Sequence, residues 1–321
     1  MAEVAVVIVN YNGGRWLDQC LRALQAQTFT DFVALVVDNG SVDGSAALVS
    51  RMNDARFRLV EAGRNLGFAA ASNLGARQAA RTPFIALLNP DAFPEVAWLE
   101  ALLDAARANP RAAAFDSTLI DAAHPELCDG TGDLYHFTGR ARRRDHGRPL
   151  ALGEARPEAP VFAACAAAAL YRREAWVEAC GLDEDFFCYM EDVDLAFRLR
   201  LNGWECMHVP AARCRHVGSA TTGVRSDFSV YQGQRNLVWV FVKNMPPPLF
   251  GLLLPLHVVL NAGALVVLLA RGQGAVGWRA KRDALRGLGK AWAKRRAIQA
   301  KRRVGARAIW ARLDRRLWPG S

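Results

Sequence analysis

The chain has 321 residues, of which 52% are apolar, enough for one large or two ordinary domains with a sizeable core. Its seven cysteines contain no C-x-x-C pair and no zinc spacing, which disfavours a disulfide scaffold or a zinc module and indicates reduced thiols in a cytosolic compartment. The net charge of +10 is local, because residues 271–321 hold 16 Lys and Arg against two acids while residues 1–270 carry −4. Such a tail binds a polyanion, either nucleic acid or an anionic membrane surface.

The first hundred residues alternate predicted strands and helices. Buried apolar runs predict strands at 5–9, 32–37, 57–61 and 83–88. Amphipathic or alanine-rich stretches predict helices at 14–27, 42–52, 67–80 and 95–108. Continuous apolar strands joined by helices predict an α/β fold with a mostly parallel sheet covered on both faces. Ligands of such sheets bind at the carboxyl ends of the strands.

Polar residues follow three of these predicted strands. They are Asn10-Tyr11-Asn12, Asp38-Asn39 and Asn89-Pro90-Asp91. Asp38 could accept a hydrogen bond from a nucleobase or a ribose, although Asp-Asn-Gly is also a strong turn former. Asp91 could bind a hard divalent cation, since Mg²⁺ takes one or two carboxylates plus phosphate oxygens, although Asn-Pro-Asp is turn chemistry too.

Several familiar nucleotide and hydrolase loops are missing from the sequence. No G-x-G-x-x-G follows the first strand, and there is neither a Walker A loop nor a G-x-S-x-G elbow. A dinucleotide enzyme, an ordinary NTPase and an α/β-hydrolase are therefore disfavoured.

Residues 121–160 are predicted to be irregular. They contain several Gly and Pro and an arginine-rich run, Arg140, Arg142, Arg143 and Arg144. A structureless connection of this length indicates a functional lid or an acceptor loop, and a solvated disordered insert fits the sequence equally well. A strand is predicted at 204–209, with a loop at 216–219 after it.

The stretch 181–203 carries the densest chemistry. Two aromatic residues precede Glu191, Asp192 and Asp194, and a helical pattern begins at Asp192. The three acids either cap the helix and favour its dipole, or include a catalytic base held beside apolar walls. The stretch alone does not choose between these two interpretations.

Six motifs occur in an order typical of one family. They are VVIVNYN, LVVDNGSVDGS, NLGFAAASNLGAR, LLNPDA, GLDEDFFCYMEDVDLAFRLRLNGW and HVGS. Together they resemble the family 2 glycosyltransferases of the GT-A fold, in the bacterial rhamnosyltransferase-like branch, over roughly residues 4–245. The resemblance implies inverting transfer of a sugar, rhamnose in one version, from a nucleotide diphosphate donor, with Mg²⁺ or Mn²⁺ as cofactor.

The resemblance also implies roles for individual residues. Asp38 would read the nucleobase with Asn10, Tyr11 and Asn12 beside it, and Asn65, Gly67 and Asn73 would help to form the nucleotide pocket. Asp91 would be the metal-binding last acid of a D-x-D motif whose first acid is Asn89 here, and His216 would be a further metal ligand. Asp192 would be the base, with Glu191 beside it. The missing first acid should weaken metal binding unless His216 compensates.

The C-terminal third combines an apolar segment with the basic tail. Residues 249–270 are long enough to span a bilayer, but Pro255, His257, Asn261 and Gly263 interrupt them. A basic tail and a nucleotide-sugar enzyme both belong on the cytosolic side, so a single crossing would separate them. We expect a broken hairpin that re-enters the membrane or lies in its plane, with the tail on anionic lipid. A buried helical hairpin or a dimer contact is the alternative.

The tail also carries aromatic residues suited to a membrane interface. These tryptophans are interleaved with Lys and Arg: Trp278, Trp292, Trp310 and Trp318.

These observations predict two units, a GT-A domain at 1–245 and a membrane-associating tail at 246–321. The expected enzyme works in cell-envelope polysaccharide synthesis, on a glycan or polyprenyl-linked acceptor, at the cytoplasmic face of the inner membrane as a peripheral or monotopic protein. We expect an anionic membrane surface as a partner and do not expect nucleic acid. A homo-oligomer is compatible with the sequence. The alternatives are a nucleotidyltransferase, which would usually show a basic phosphate loop near the first strand, and a non-catalytic membrane-bound scaffold.

Overall fold

The computed structural model describes residues 2–218, 223 and 225–316. Ser219 of the HVGS motif and Trp318 lie outside the described residues. The strands are β1 (Val4–Asn10), β2 (Phe32–Asp38), β3 (Phe57–Glu61), β4 (Phe84–Leu88), β5 (Ala92–Pro94), β6 (Ala112–Asp121), β7 (Cys128–Gly130), β8 (Asp133–Tyr135), β9 (Ala141–Arg143), β10 (Ala159–Val161), β11 (Ala168–Arg172) and β12 (Glu205–His216).

Helices precede, separate and follow these strands. They are α1 (Gly14–Gln25), α2 (Ala47–Arg51), α3 (Phe68–Gln78), α4 (Trp98–Ala108), α5 (Leu150–Glu154), α6 (Arg173–Glu178), α7 (Glu191–Leu201), α8 (Asp227–Asn244), α9 (Pro247–Ala270), α10 (Gly274–Arg286), α11 (Leu288–Lys301) and α12 (Ala306–Trp310). A short 3₁₀ turn, Glu184–Phe186, precedes α7.

One mixed sheet organises the catalytic part. Its strand order is β10-β12-β6-β11-β4-β1-β2-β3. Strands β4, β1, β2 and β3 are parallel, as predicted, and β12 is parallel to β6. Strand β11 runs antiparallel to both β4 and β6. The four predicted strands therefore form one half of the sheet, and their carboxyl ends share one edge.

Successive side chains of β1 enter hydrophobic cores on opposite faces of the sheet. Val4, Val6 and Ile8 pack into the core beside α1 and α4, whereas Val7 and Val9 pack into the core on the opposite face. Each of these side chains is buried. Burial of a Val or Ile side chain contributes roughly 1.5–3 kcal/mol, so a strand that is apolar at every position is stabilised from both faces.

The segment 121–160 is not irregular, contrary to our expectation. It contains β7, the β8–β9 hairpin, α5 and the start of β10. In the hairpin Asp133 pairs with Arg143, Leu134 with Arg142, and Tyr135 with Ala141. The buried ring of Tyr135 stacks on Phe162 with centroids 5.1 Å apart. Strands of three residues that include consecutive arginines leave no period-2 apolar pattern, which is why the sequence does not reveal them.

The apolar segment is one continuous helix, α9, and the expected break is absent. Pro255 lies inside the helix on its exposed side. His257 and Asn261 do not break the helix because they find partners on the inner side, where His257 Nδ1 bonds to the carbonyl of Thr138 at 2.8 Å and Asn261 accepts from Lys281. Length and hydropathy would allow α9 to cross a membrane, and only 17% of its most apolar window is buried.

The C-terminal helices are tied to the catalytic part by buried charges. Lys243 on α8 pairs with Asp183, and its Nζ lies 2.7 Å from Asp194 on α7. Lys294 on α11 pairs with Asp183 as well. Arg198 pairs with Asp194 at 2.9 Å. Helices α7, α8 and α11 are therefore joined by one ion network.

Candidate active site

A cleft of about 720 Å³ opens at the carboxyl edge of the parallel strands. Eight residues singled out from the sequence line it: Tyr11, Asn65, Gly67, Asn89, Asp91, Glu191, Asp192 and His216. Four others do not line it: Asn10, Asn12, Asp38 and Asn73. The structure thus brings the candidate metal ligands and the candidate base into one cavity, although they come from β12, the β4–β5 turn and α7.

Asn10, Asn12 and Asp38 organise the strand ends behind the cleft. The buried Asn10 amide donates to Asp38 Oδ1 at 2.9 Å and to Ser45 Oγ at 2.8 Å. The other Asp38 oxygen accepts from the backbone of Ser41 at 3.2 Å. Asn12 accepts from a backbone N–H of the same loop, at Val42. These bonds fix the loop after β2 against the end of β1.

Asn73 lies away from the cleft. Its amide donates to the carbonyl of Leu182 at 2.8 Å and to Glu184 at 3.0 Å, and its oxygen accepts from the Leu182 N–H at 3.0 Å. Both of its amide protons are used in these bonds. Asn73 therefore fastens α3 to the turn that precedes α7.

Asn39, Asn65 and Gly67 build one wall of the cleft. Asn65 Oδ1 accepts from Asn39 at 3.0 Å and from the Gly67 N–H at 2.9 Å. Gly67 has φ +82°, and a side chain there would collide with Phe187. Only glycine combines that backbone conformation with so close an approach. Backbone and amide groups in such an arrangement suit a nucleoside.

Asp91 and His216 meet because β5 pairs with β12. His216 lies opposite Ala92 in that ladder, and the Val217 N–H donates to the Asp91 carbonyl at 3.0 Å. The His216 Nε2 is 3.5 Å from Asp91 Oδ1, too long for a good hydrogen bond, and has no hydrogen-bond partner among residues 2–218, 223 and 225–316. An imidazole nitrogen beside a nearly buried carboxylate fits a divalent cation.

Asp129, which the sequence did not single out, orients His216. Its Oδ2 lies 2.7 Å from His216 Nδ1 and also pairs with Arg143. Metal-ligating histidines usually donate their second ring N–H to a carboxylate in this way. Burial opposes the charge on Asp129, but hydrogen bonds from His146 and His216 outweigh it and hold the pKa of Asp129 well below its usual range. No motif surrounds Asp129, so no signal in the sequence could have found it.

Asp192, at the start of α7, lines the same cleft. Its Oδ2 accepts from the Ala166 N–H at 3.2 Å and its Oδ1 from the Val193 N–H at 2.8 Å. Burial raises the pKa of Asp192. Glu191 is buried, its Oε2 has no hydrogen-bond partner within the described part of the chain, and burial followed by the charge of Asp192 raises its pKa well above the usual range. Asp192 is therefore the acid that ionises more readily.

Asp133 is a second residue of the cleft that the sequence did not single out. One ligand atom each of Asp133, Cys165 and Asp192 lies within 4.8 Å of the others. Burial, and then the charge of Asp192, raises the pKa of Asp133 well above its usual range. Two carboxyls that share a site do not both ionise easily. Asp133 is thus the weaker acid of the two.

Asp194 points away from the cleft into the ion network described above. Of the three acids at the start of α7, Glu191 and Asp192 line the cavity. Asp192 and Glu191 both reach it because the residues before them are in unusual conformations: Phe187, Tyr189 and Met190 have φ between +64° and +72°. Non-glycine residues in this region cost about 1–3 kcal/mol each and cluster at functional sites.

Asn236 on α8 holds that strained loop in place. Its amide donates to the carbonyls of Phe186, Cys188 and Tyr189 at 2.7–3.0 Å. The C-terminal helices therefore support the geometry of the cleft as well as lying beside it.

The fold, with candidate metal ligands and a helix-borne carboxylate facing one cleft, defines a GT-A glycosyltransferase. Residues 5–176 match the model of glycosyl transferase family 2, and the chain belongs to that family. It is 33% identical over 245 residues to the N-acetylglucosaminyl-diphospho-decaprenol L-rhamnosyltransferase of Mycobacterium tuberculosis. The alignment covers 68% of this chain and 77% of that protein. The expectation of a glycosyltransferase is confirmed.

Solved structures agree on the fold. A mannosyltransferase from Pyrobaculum calidifontis, in complex with GDP-Man and Mn²⁺, superposes with a TM-score of 0.55 at 20% identity, over 99% of this chain and 88% of that one. GalNAc-T7 with UDP, GalNAc and Mn²⁺ has a TM-score of 0.61 at 15% identity, over 76% of this chain and 48% of that one. Both support the GT-A assignment.

Proposed function

We propose that the enzyme transfers a sugar, rhamnose in the first instance, from a nucleotide diphosphate donor to a hydroxyl of a lipid-linked glycan, with inversion and with a divalent metal ion. The observation that carries this proposal is that Asp91, His216 and Asp192, from three different elements, line a single cleft. The relationship to the mycobacterial rhamnosyltransferase supports the sugar and the acceptor class, and with them a place in cell-envelope polysaccharide synthesis.

The candidate metal ligands and the candidate base have separate roles in this reaction. Asp91 and His216 would hold Mg²⁺ or Mn²⁺, which when bound supplies charge neutralisation for a departing diphosphate. Asp192 removes the proton of the acceptor hydroxyl as that oxygen attacks the sugar. A base placed across the cleft from the diphosphate suits a single in-line displacement, and one displacement inverts the configuration.

We further propose that the enzyme works on the cytoplasmic face of the inner membrane with α9 lying in the membrane surface. The outward side of α9 exposes Leu252, Leu256, Val259 and Val266, each at least 45% accessible. The middle of the helix is bonded to Thr138 and Lys281 of the rest of the protein, which favours an in-plane helix over a crossing. The basic tail beside it adds attraction to anionic lipid.

The test is a transfer assay with the purified full chain. A panel of nucleotide diphosphate sugars, including a rhamnose donor, is incubated with an N-acetylglucosaminyl-diphospho-prenol and Mn²⁺, and the anomeric configuration of the product is read by NMR. We expect an inverted glycoside that requires the metal. Transfer with retained configuration, or undiminished transfer in excess chelator, would contradict the mechanism, and the absence of any transfer across the panel would contradict the acceptor class.

A further inference from the structure

The β8–β9 hairpin connects the cleft to the apolar helix α9. At its base Asp133 pairs with Arg143, beside Asp192. At its turn Gly139 has φ +94° and packs so closely on His257 of α9 that a side chain there would meet the histidine ring. Each strand of the hairpin has three residues, which span about 10 Å at roughly 3.3 Å per residue.

Arginines from two distant segments of the chain lie beside this hairpin, and Asp314 joins the two segments. We call them the basic rim: Arg140, Arg142, Arg315 and Arg316. Asp314 pairs with Arg142 at 2.9 Å and with Arg316 at 2.9 Å, so one carboxylate serves two of the four guanidinium groups. Arg140 is exposed and forms no ion pair within the described part of the chain. The rim therefore carries an excess of positive charge.

His136 links the hairpin to the end of the chain that carries Arg316. Its Nδ1 lies 2.7 Å from the Thr138 hydroxyl, and its Nε2 lies 3.1 Å from the Arg316 carbonyl. Burial lowers the pKa of His136, the hydrogen bond to the Arg316 carbonyl and the charge of Asp314 raise it, and the smaller effects of Arg142 and Arg140 lower it. Arg140 and Arg142 thus both lie within electrostatic reach of the same histidine.

The charge of the rim contrasts with that of the cleft interior. Four acids, Asp91, Asp133, Glu191 and Asp192, line the cavity beside Arg143, and Arg142 lies in its wall with 30% of its side chain exposed. An acceptor that carries its own diphosphate brings a second highly charged group besides the donor diphosphate. Guanidinium groups bind phosphate oxygens in bidentate fashion, so the rim suits that second group.

We propose that Arg140 and Arg142 form the subsite for the diphosphate of a prenyl-linked sugar acceptor. The sugar extends from this subsite along the hairpin to Asp192, and the prenyl chain leaves towards the exposed apolar side of α9. The inference rests on the proposed function, and it adds the residues that would recognise the acceptor. Diphosphate chemistry is shared by the donor, by the acceptor and in part by anionic phospholipids, so the test must separate these three sources.

The experiment compares full-length wild type with Arg140→Glu and Arg142→Gln. The matched control is Arg148→Glu, because Arg148 is exposed, lies in the same segment and does not line the cleft. Three titrations are made on each protein: farnesyl diphosphate in detergent, a nucleoside diphosphate with Mn²⁺, and phosphatidylglycerol vesicles. We expect Arg140→Glu to weaken farnesyl diphosphate binding about tenfold or more, since a charge-assisted contact becomes a repulsion.

Arg140→Glu should change the affinity for the nucleoside diphosphate by less than about twofold. The control Arg148→Glu should match wild type in all three titrations. Arg142→Gln should weaken farnesyl diphosphate binding too, and thermal unfolding reports whether the loss of its pair with Asp314 has altered the fold. The inference is overturned if wild type does not bind farnesyl diphosphate, if Arg140→Glu binds it normally, or if Arg140→Glu loses only vesicle binding.

Donor hydrolysis by wild type without acceptor separates the two ideas. If donor is hydrolysed in a metal-dependent way while farnesyl diphosphate binding ignores Arg140, the subsite is wrong and the proposed function stands. If no nucleotide sugar is hydrolysed or transferred, the proposed function fails independently of the titrations.

Discussion

Glu191 and Asp192 are neighbours in the chain, yet they differ in the groups that can stabilise their charge. Asp192 accepts two backbone N–H groups, whereas the Oε2 of Glu191 is buried without a hydrogen-bond partner in the described part of the chain. Backbone donors favour an ionised carboxylate, so Asp192 reaches its basic form first. That difference selects Asp192 as the base more firmly than their order in the sequence does.

Asp192→Asn should lower the rate by roughly 10²–10⁴-fold while leaving donor affinity nearly unchanged, because the variant keeps the shape and loses the basicity. Burial raises the pKa of Asp192, so wild-type activity should increase with pH, and the increase should lie above the ordinary Asp pKa of about 3.9. This increase should be absent in the variant. Initial rates across pH and donor titration by calorimetry measure both effects.

Glu191→Gln is the paired comparison and should cost less than Asp192→Asn. The assignment fails if Asp192→Asn turns over normally or if its entire defect lies in donor affinity.

Asp129 acts through His216, since it bonds to one ring nitrogen and leaves the other facing Asp91. Asp129→Asn should weaken Mn²⁺ binding about 10–100-fold, the usual effect of losing such a carboxylate. Asp91→Ala should abolish metal-dependent nucleotide binding. Binding of Mn²⁺ is followed by electron paramagnetic resonance, independently of turnover.

A suitable control is Asp121→Asn, because Asp121 lies at the end of β6 and its side chain accepts backbone N–H groups from Ala123 and His124. If Asp129→Asn binds Mn²⁺ as tightly as this control does, Asp129 has no part in positioning a metal ligand.

At the scale of elements, α9 differs most from its sequence-based expectation. A proline and several polar residues indicated a break, but the helix is continuous and its polar residues face inward. Helices α10 and α11 pack on α8, as the Trp239 bond to the Ala284 carbonyl and the Arg295 bonds to the end of α8 show. Deleting residues 272–321 would uncover that packing, so substitutions on the surface of α9 give the cleaner test.

The combined change Leu252→Ser, Leu256→Ser and Val259→Ser should weaken binding to anionic vesicles at least tenfold, because each apolar side chain moved out of water contributes roughly 1.5–3 kcal/mol. The effect should persist in high salt, where the electrostatic attraction of the tail is screened. Vesicle sedimentation at low and high salt measures it.

Val42→Ser, Val96→Ser and Val177→Ser provide a control of the same kind, because these exposed apolar residues lie on the catalytic part. Equal losses for the two triple variants would show that α9 has no special role at the membrane.

Across the whole molecule, one buried ion network holds the C-terminal helices to the catalytic part. Lys243 is nearly inaccessible and pairs with both Asp183 and Asp194. Burial opposes the charge of Asp183, but Lys243 and Lys294 outweigh it and lower its pKa. The contribution of Asp183 to stability is therefore present above the ordinary carboxyl pKa and is lost as pH falls through the lowered value.

Lys243→Met should destabilise the protein by about 3–5 kcal/mol, because it leaves two buried carboxylates without their shared cation. Lys290→Met is the control, since Lys290 is exposed and forms no ion pair among the described residues. Chemical denaturation of both variants measures the free energy of unfolding. A loss no greater than that of the control would mean that the network does not join the two parts.

The sequence by itself determined much of the sheet and half of the cleft. Apolar runs located β1 to β4 within about a residue or two, and family motifs brought Asp91, Asp192 and His216 to attention. Helix boundaries were less certain: α2 begins at Ala47 and α4 at Trp98, later than predicted, because turns occupy the intervening residues. Apolar strands and short motifs are local features of the chain, so the spacing of neighbouring residues is enough to reveal them.

Only the tertiary structure decided the partners of those residues. His216 and Asp129 are 87 positions apart, and His257 and Thr138 are 119 apart. Asp133 reaches Asp192 through a hairpin that has no apolar pattern, and Asn73 is drawn away from the cleft by a turn more than a hundred residues later. A buried polar group must find a hydrogen-bond partner wherever the fold supplies one. Local sequence cannot name that partner, because the partner is chosen by packing.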